Sequence, residues 1–244
     1  MIGGGPITRS LRFNNVIDKN LFRYYNSSDT QPIAVVAVIL RLSRKYQIDY
    51  LRDDSVTRLK TMFPSTLDAA VRHYDGTGVN ISPDHIIDTI NLARETGIRS
   101  ILPFAFFCMM GLKTEVILKG VSRSDGTVAV LSRTDQELVL LAKDPFRLAQ
   151  ENDTFRWLDG TKVPSRDCST PYVCAKVKDE YMIHLWRSPF PAPILPRWET
   201  LTWTKRLCVF CRVIGEKCYK EGRQLIWNKL PSFIGLPDWA ELSK

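Results

Sequence analysis

The chain has 244 residues, of which 44% are hydrophobic and 25% are charged. These proportions are typical of a globular protein and exclude a chain that is mostly disordered. The net charge of +8 lies mainly in residues 161–244, which hold 14 Lys and Arg against 8 Asp and Glu. Because acidic residues are interspersed and no run of five like charges occurs, we interpret the surplus mainly as solubilising charge.

The first fifteen residues contain three consecutive glycines and few large apolar groups, which predicts a poorly ordered leader over residues 1–15. They lack the apolar core of a secretory signal, and the longest apolar run, residues 101–112, is too short to span a bilayer. We therefore expect no membrane association and an intracellular protein, in the cytoplasm, the nucleus or both. In that setting, the six cysteines are expected to be reduced thiols or metal ligands rather than disulfides.

Two helices are predicted in residues 16–67. The apolar run from residue 33 to 46 has the length of a buried helix, although its β-branched residues leave a strand open for the first half. Asp49 is then expected to cap a second helix that Pro64 ends. Joined by a tight turn, the two would form a helical hairpin.

Further helices are predicted in residues 68–160. Ser82 and Pro83 have the pattern of a cap and a first helical turn, and Gly97 is expected to close that helix. Residues 101–110 predict a helix buried on most sides. A capping box that begins at Thr134 predicts a fifth helix, which Pro145 should break or kink. The predicted fold class is therefore mainly α.

Residues 161–244 differ in composition, because all six tryptophans lie beyond position 156. We place a domain boundary near residue 160. The prolines of residues 160–200 predict an irregular segment with one short strand at 181–186. After it, apolar residues and cysteines at helical spacing predict an amphipathic helix over 201–218, followed by a tail that docks onto a core.

Residues 38–67 form the stretch VILRLSRKYQIDYLRDDSVTRLKTMFPSTL, which is followed by LCVFC (207–211) and WNKLPSFIGLPDW (227–239). In this stretch, and in its position relative to the other two, the chain resembles fungal BTB/POZ-domain proteins. Residues 40–52 carry most of this resemblance, which covers roughly residues 20–244. In that family a BTB fold is followed by a helical, cysteine-containing C-terminal region. The resemblance implies that residues 16–67 are the last helices of a BTB fold, an incomplete BTB-type helical hairpin.

For function, the resemblance implies a non-enzymatic adaptor or scaffold that binds protein partners, linked to ubiquitin-ligase or transcriptional complexes. The strands that open a BTB fold have no counterpart before residue 16, so docking to a cullin scaffold is not expected of this chain. Five residues would then be structural parts of the hairpin rather than contact residues: Leu40, Leu42, Tyr46, Ile48 and Leu51.

Two close cysteine pairs predict a structural zinc site formed by Cys168, Cys174, Cys208 and Cys211. Thiolates in pairs, brought together by folding, are the ligands of such sites. The alternative is that Cys208 and Cys211, at helical spacing, are small buried hydrophobic residues and the other two merely lie in a loop. A redox role for Cys208 is not favoured, because the predicted helix places it in mid-helix rather than at an N-terminus.

The alternative function is a zinc-stabilised nucleic-acid-binding module, since the basic C-terminal region interleaves cations with tryptophans that could stack on bases. Trp198 and Trp203, however, are expected to face the core. The three histidines, His73, His85 and His184, have neither metal-site nor triad spacing. His85 is expected at the surface, while His184 is a candidate for burial. No catalytic residue is proposed.

Overall fold

The structure is a computed structural model that describes residues 33–72, 81–123, 125–187 and 195–243. The predicted leader, the first part of the predicted BTB-like region and His73 lie outside the described residues. In chain order, the elements are α1 (Ile33–Tyr46), α2 (Asp49–Met62), α3 (Leu67–Arg72), α4 (Pro83–Thr96), α5 (Leu102–Met110), α6 (Thr114–Lys119), β1 (Val121–Ser122), β2 (Val128–Ala129), α7 (Arg133–Ala149), α8 (Pro171–Arg187), α9 (Val209–Lys229) and α10 (Trp239–Leu242).

The prediction of a mainly α fold is confirmed. Within the described ranges the strands form a single two-stranded antiparallel sheet, in which Val121 pairs with Ala129. Short 3-10 turns precede α5 and α9, and a π-helical turn, Gln150–Thr154, continues α7. The described chain is therefore built from helices packed on helices.

The first two helices pack against each other, as the predicted hairpin requires. The turn between them contains Gln47 in the left-handed region, at φ 55°. Asp49 is the first residue of α2 rather than its cap, because Ile48 occupies the N-cap position and no side chain caps the helix. Of the five residues expected to be structural, Leu40 and Leu51 are buried, whereas Leu42 and Tyr46 are exposed and Ile48 is half-buried.

Helix α4 begins after Ser82 and is closed by Gly97 at φ 75°, as predicted. The Ser82 hydroxyl, however, hydrogen-bonds the Asp84 carboxylate instead of capping the backbone. The real cap of α7 is Ser132, whose Oγ accepts a hydrogen bond from the Asp135 N–H at 3.1 Å, so the predicted cap at Thr134 was wrong by two residues.

Pro145 neither ends α7 nor starts a new element, because the helix runs on to Ala149. Proline removes the hydrogen bond to the carbonyl four residues earlier, which belongs to Leu141. The side chain of Leu141 is 76% exposed, so this turn of the helix faces solvent and water can satisfy that carbonyl. Of the predicted alternatives, a break or a kink, the break was therefore wrong.

Residues 160–200 are less irregular than predicted, since α8 occupies seventeen of them. The prolines explain the difference. Pro171 is the first residue of α8, where its missing N–H costs nothing, and no other proline follows until Pro189. The predicted strand at 181–186 is instead the last part of this helix.

The helix predicted over residues 201–218 begins later and ends later. Residues Thr202–Arg206 form a 3-10 turn, Cys208 is the N-cap, and α9 then runs without a break from Val209 to Lys229. Residues 201–207 have helix-like spacing, yet Leu207 is buried in an extended conformation, since its backbone lies at φ −73° and ψ 143°. Tertiary packing has overridden the local pattern.

Two hydrophobic cores are present in the described residues. The first combines α1 to α7 with the C-terminal segment, and the second is built from residues 155–219 around Trp157, Tyr181 and Tyr219. Helix α9 belongs to both, because its first half contributes to the second core and its second half, with Ile226 and Trp227, to the first.

The C-terminal tail docks as predicted. The Trp227 indole N–H donates to the Ser65 carbonyl at 2.9 Å, and the Trp239 indole N–H donates to the Trp227 carbonyl at 2.8 Å. The two indole rings stack with centroids 5.6 Å apart, and Ile234 is buried beside them. These contacts fix the end of the chain onto the first core.

Two glycines let α9 approach its neighbours closely. A Cβ on Gly215 would lie 2.8 Å from the Trp198 ring, and a Cβ on Gly222 would overlap the backbone carbonyl of Asp153. The second contact is with the backbone of the π-helical turn and not with a movable side chain. Helix α9 can therefore sit at its position only with glycine at residue 222.

In the described parts of the chain, no helix is both long enough and apolar enough to cross a membrane.

We predict that Gly222→Ala lowers the free energy of unfolding by about 1–3 kcal/mol, measured by urea denaturation. Alanine favours a helix by about 1 kcal/mol over glycine, but overlap with the Asp153 backbone outweighs that gain. Gly160→Ala is the control, since the Lys178 Nζ, 3.8 Å away, is the one atom near its Cβ. Equal stability of the two variants would contradict the close approach.

Candidate metal centre

Three elements bring the predicted zinc ligands together. Cys168 lies in the loop before α8, Cys174 is in the first turn of α8, Cys208 is the N-cap of α9, and Cys211 is in the first turn of α9. Their four sulfur atoms all lie within 4.8 Å of one another. Cys168 and Cys174 are six positions apart in the chain, yet their sulfurs lie close together because the residues between them turn from the loop into α8.

One sulfur pair of the cluster, that of Cys168 and Cys208, has the separation expected around a tetrahedral ion. With Zn–S bonds of about 2.3 Å, tetrahedral geometry places neighbouring sulfurs about 3.8 Å apart. The Sγ atoms of Cys168 and Cys208 are 3.7 Å apart, which is far too long for a disulfide bond. All four cysteines are free. Four cysteine thiolates are one of the ligand sets of structural zinc sites.

Backbone N–H groups point at three sulfurs of the cluster. The Cys208 N–H lies 3.3 Å from the Cys174 Sγ, the Cys211 N–H lies 3.5 Å from the Cys208 Sγ, and the Ser165 N–H lies 3.3 Å from the Cys211 Sγ. Hydrogen bonds of this kind stabilise thiolates and orient them, as outer-shell groups do around metal ligands.

The thiol pKa values are moved in opposite directions. Burial favours the neutral form of Cys208, but hydrogen bonds from the Cys211 and Ser169 N–H groups and from the Cys168 and Cys211 thiols outweigh it and lower its pKa to about 6. Burial, with smaller contributions from contacts with the other thiols, raises the pKa of Cys168 to about 12 against the opposing hydrogen bond from the Thr170 backbone. Burial likewise raises the pKa of Cys211.

The crowding of the sulfurs adds a further constraint on their ionisation. Four thiolates within 4.8 Å of one another repel strongly, so the first one to ionise disfavours the next. A divalent cation at the centre reverses this balance, because each thiolate then faces a positive charge. The donor set therefore has the chemistry of a cation site.

The four candidate ligands differ in exposure. Cys174 and Cys211 are fully buried, whereas Cys168 and Cys208 are partly exposed. Val163 and Leu207, both buried, belong to the second core together with Cys174 and Cys211. The cluster thus joins the loop, α8 and the start of α9 at the edge of that core.

The remaining two cysteines, Cys108 and Cys218, are packing residues. Cys218 is 7% exposed in the second core. Cys108 packs against the first core on α5, and burial raises its pKa to about 12. Neither belongs to the sulfur cluster.

The reason given against a redox role for Cys208 was wrong. This residue is at the N-terminus of α9 and not in mid-helix, a position that favours the thiolate. Its sulfur has three sulfur neighbours instead of a single partner, however, and that is the arrangement of a metal site rather than of a dithiol pair.

Three supporting residues were missed by sequence reasoning. Ser165 contacts the Cys211 sulfur through its N–H and through its hydroxyl, at 3.3 and 3.6 Å. The Thr170 hydroxyl lies 3.5 Å from the Cys174 Sγ, and the Ser169 N–H supports Cys208. Their position beside the cysteines was the available signal, but small polar residues are common in any loop.

The tryptophans form a core and not an open surface. Trp157 and Trp198 are buried, and Trp203 stacks on Tyr181 with ring centroids 3.7 Å apart. Among the described tryptophans, Trp186 alone is strongly exposed, at 91%. This arrangement offers little for bases to stack on.

The described histidines stand apart from the cluster. His85 is half-buried beside Asp84, with 3.9 Å between its Nε2 and the Asp84 Oδ2. The predicted burial of His184 was wrong, because this residue is exposed on α8 and stacks on Tyr181.

Comparisons of this chain with protein families, with curated proteins and with solved structures find no match. The resemblance to BTB/POZ proteins therefore stays a prediction.

We predict that diamide treatment of the metal-free protein forms a Cys168–Cys208 disulfide first. These are the more exposed members of the cluster and lie 3.7 Å apart. Each thiol loses one hydrogen to diamide, which is reduced to the hydrazine, and the S–S bond forms. Peptide mass spectrometry identifies the linked pair. Predominant linkage of Cys208 to Cys211, or linkage through Cys108, would contradict the described geometry.

Proposed function

We propose that this chain is a non-enzymatic protein-interaction module whose C-terminal half is held together by one structural zinc ion. The observation that carries the proposal is the cluster of Cys168, Cys174, Cys208 and Cys211, with all sulfurs within 4.8 Å. When bound, zinc supplies a fixed tetrahedral link between the four thiolates.

A structural role suits this donor set better than a catalytic one. Catalytic zinc sites keep an open coordination position for water or substrate, whereas four cysteines fill the tetrahedron. Backbone N–H groups already donate hydrogen bonds to three of the sulfurs. These hydrogen bonds orient the sulfur lone pairs. The cluster thus supports a closed site that fixes the loop and α8 to the start of α9.

The interaction role is supported by the resemblance of residues 40–52 to BTB/POZ proteins, in which this region belongs to an adaptor fold. Helix α1 is consistent with it, since Val35, Val38 and Leu42 lie at helical spacing and are 37–53% exposed. Apolar side chains exposed along one helix face are typical of surfaces that bind proteins. The adaptor would act inside the cell, where reducing conditions keep cysteines available to zinc.

Protein binding ranks above nucleic-acid binding. The basic residues of the C-terminal region are present, but Trp157, Trp198 and Trp227 are buried and cannot stack on bases. Several basic residues are also neutralised, as in the Arg206–Glu180 and Lys220–Glu199 pairs.

We predict one zinc ion per chain when the full chain is purified under reducing conditions in the presence of zinc, measured by elemental mass spectrometry. Removal of zinc by a chelator should lower the thermal unfolding midpoint by about 10 °C, roughly 3 kcal/mol for a protein of this size. The reason is that removal of the ion breaks the connection between the loop, α8 and the start of α9, and leaves four thiols close together at the edge of the second core.

Cys168→Ala is the test variant, because this residue lies in a loop and its loss costs little packing. It should abolish stoichiometric zinc binding. Cys108→Ala, outside the cluster, is the matched control and should keep one zinc per chain. A correctly folded wild-type chain that binds no zinc, or a Cys168→Ala variant with full occupancy, would refute the site.

A further inference from the structure

The first two turns of α9 have an apolar face that the described chain leaves uncovered. Val209, Phe210 and Val213 are 61%, 51% and 60% exposed, and their spacing of three and four residues places them side by side on the helix. Cys211 and Gly215, on the opposite side, are buried.

Positive charges border this face. Arg212 and Lys217 are exposed on the same turns, and neither makes an ion pair or hydrogen bond with another described residue. The acidic residue between them, Glu216, is already bound to Lys220 at 2.6 Å. The first turn of α9 contains no acidic residue. An approaching partner therefore meets apolar groups flanked by unpaired cations.

The metal site does not cancel this charge. A zinc ion with four thiolates has a net charge of −2, yet Arg166 and Lys205 also lie beside the cluster in the chain, and among the described residues neither has an ion-pair partner. With Arg212 and Lys217, they outnumber the negative charges of the site together with Asp167. Counted along the chain beside the site, four positive charges therefore face three negative ones.

We infer that this face, formed by Val209, Phe210 and Val213 and bordered by Arg212 and Lys217, binds an acidic segment of a partner protein with large apolar side chains. The inference deepens the proposed function and rests on it, because zinc would fix the start of α9 and so present a rigid surface. Pre-organised apolar anchors with complementary charge are what such segments recognise.

The apolar face is adjacent in sequence to two of the candidate metal ligands. Val209 and Phe210 lie between the N-cap Cys208 and Cys211, so any shift of those sulfurs turns the apolar side chains with them. Binding of the partner and binding of zinc should therefore support each other.

The test is a selection of random twelve-residue peptides displayed on phage against the zinc-loaded full chain. Selected peptides should be rich in Asp and Glu together with Leu, Phe or Trp. The best peptide is then synthesised, and its dissociation constant is measured by fluorescence anisotropy. We expect binding about tenfold weaker for Phe210→Ser with Val213→Ser, and also for Arg212→Glu with Lys217→Glu.

Leu141→Ser is the matched control, since Leu141 is a more exposed apolar residue on a different helix, and it should bind like the wild type. Circular dichroism and zinc content check that each variant is folded. Peptides without acidic enrichment, or unchanged binding by the two α9 variants, overturn the inference. So does a finding that anionic vesicles or single-stranded DNA, but no peptide, bind through this face.

Zinc content separates failure of this inference from failure of the proposed function. Acidic peptides that bind through Phe210 to a chain without zinc would support the docking face and refute the metal site. One zinc ion per chain, with no acidic peptides selected, would support the metal site and refute the docking face.

Discussion

The described fold depends on the close packing of α9 against both cores. Its first half packs through Gly215 on Trp198, and Gly222 lies against the π-helical turn that ends α7. The same helix supplies Tyr219 to one core and Trp227 to the other. Because a helix transmits position along its axis with little bending, the placement of one half fixes the placement of the other.

The sulfur cluster lies at the N-terminal end of this helix, where one face is buried and the other is exposed. Val209, Phe210 and Val213 are on the exposed face, so these three side chains contribute little hydrophobic burial. In the proposed site, a metal ion held by Cys208 and Cys211 together with the loop cysteine Cys168 would add a link at this end. Such a link would complement the glycine contacts further along the helix.

Sequence patterns were sufficient where a local signal and the tertiary environment agreed. Apolar periodicity and Gly97 located α4, and the long apolar run located α1. The patterns failed where packing decided. Residues 201–207 have helical spacing, but burial of Leu207 selects another conformation, and the density of prolines hid α8, which begins at one of them.

The candidate ligands could be chosen by residue type, but their convergence could not be deduced. Pair spacing says which cysteines are near each other in the chain, and it says nothing of whether Cys168 and Cys208, forty residues apart, meet in space. That meeting depends on the direction of α8 and on the late start of α9. The supporting serine and threonine contacts depend on the same geometry.

A link between Cys168 and Cys208 would close a loop, because the two residues are 40 positions apart in the chain. Closing such a loop restricts the unfolded chain more than the folded one, and the entropic gain grows only slowly with length, by about 0.6 kcal/mol for each doubling. The cross-link would thus tolerate insertions between α8 and the 3-10 turns before α9. Related chains could accordingly vary in length there while keeping the same four-sulfur geometry.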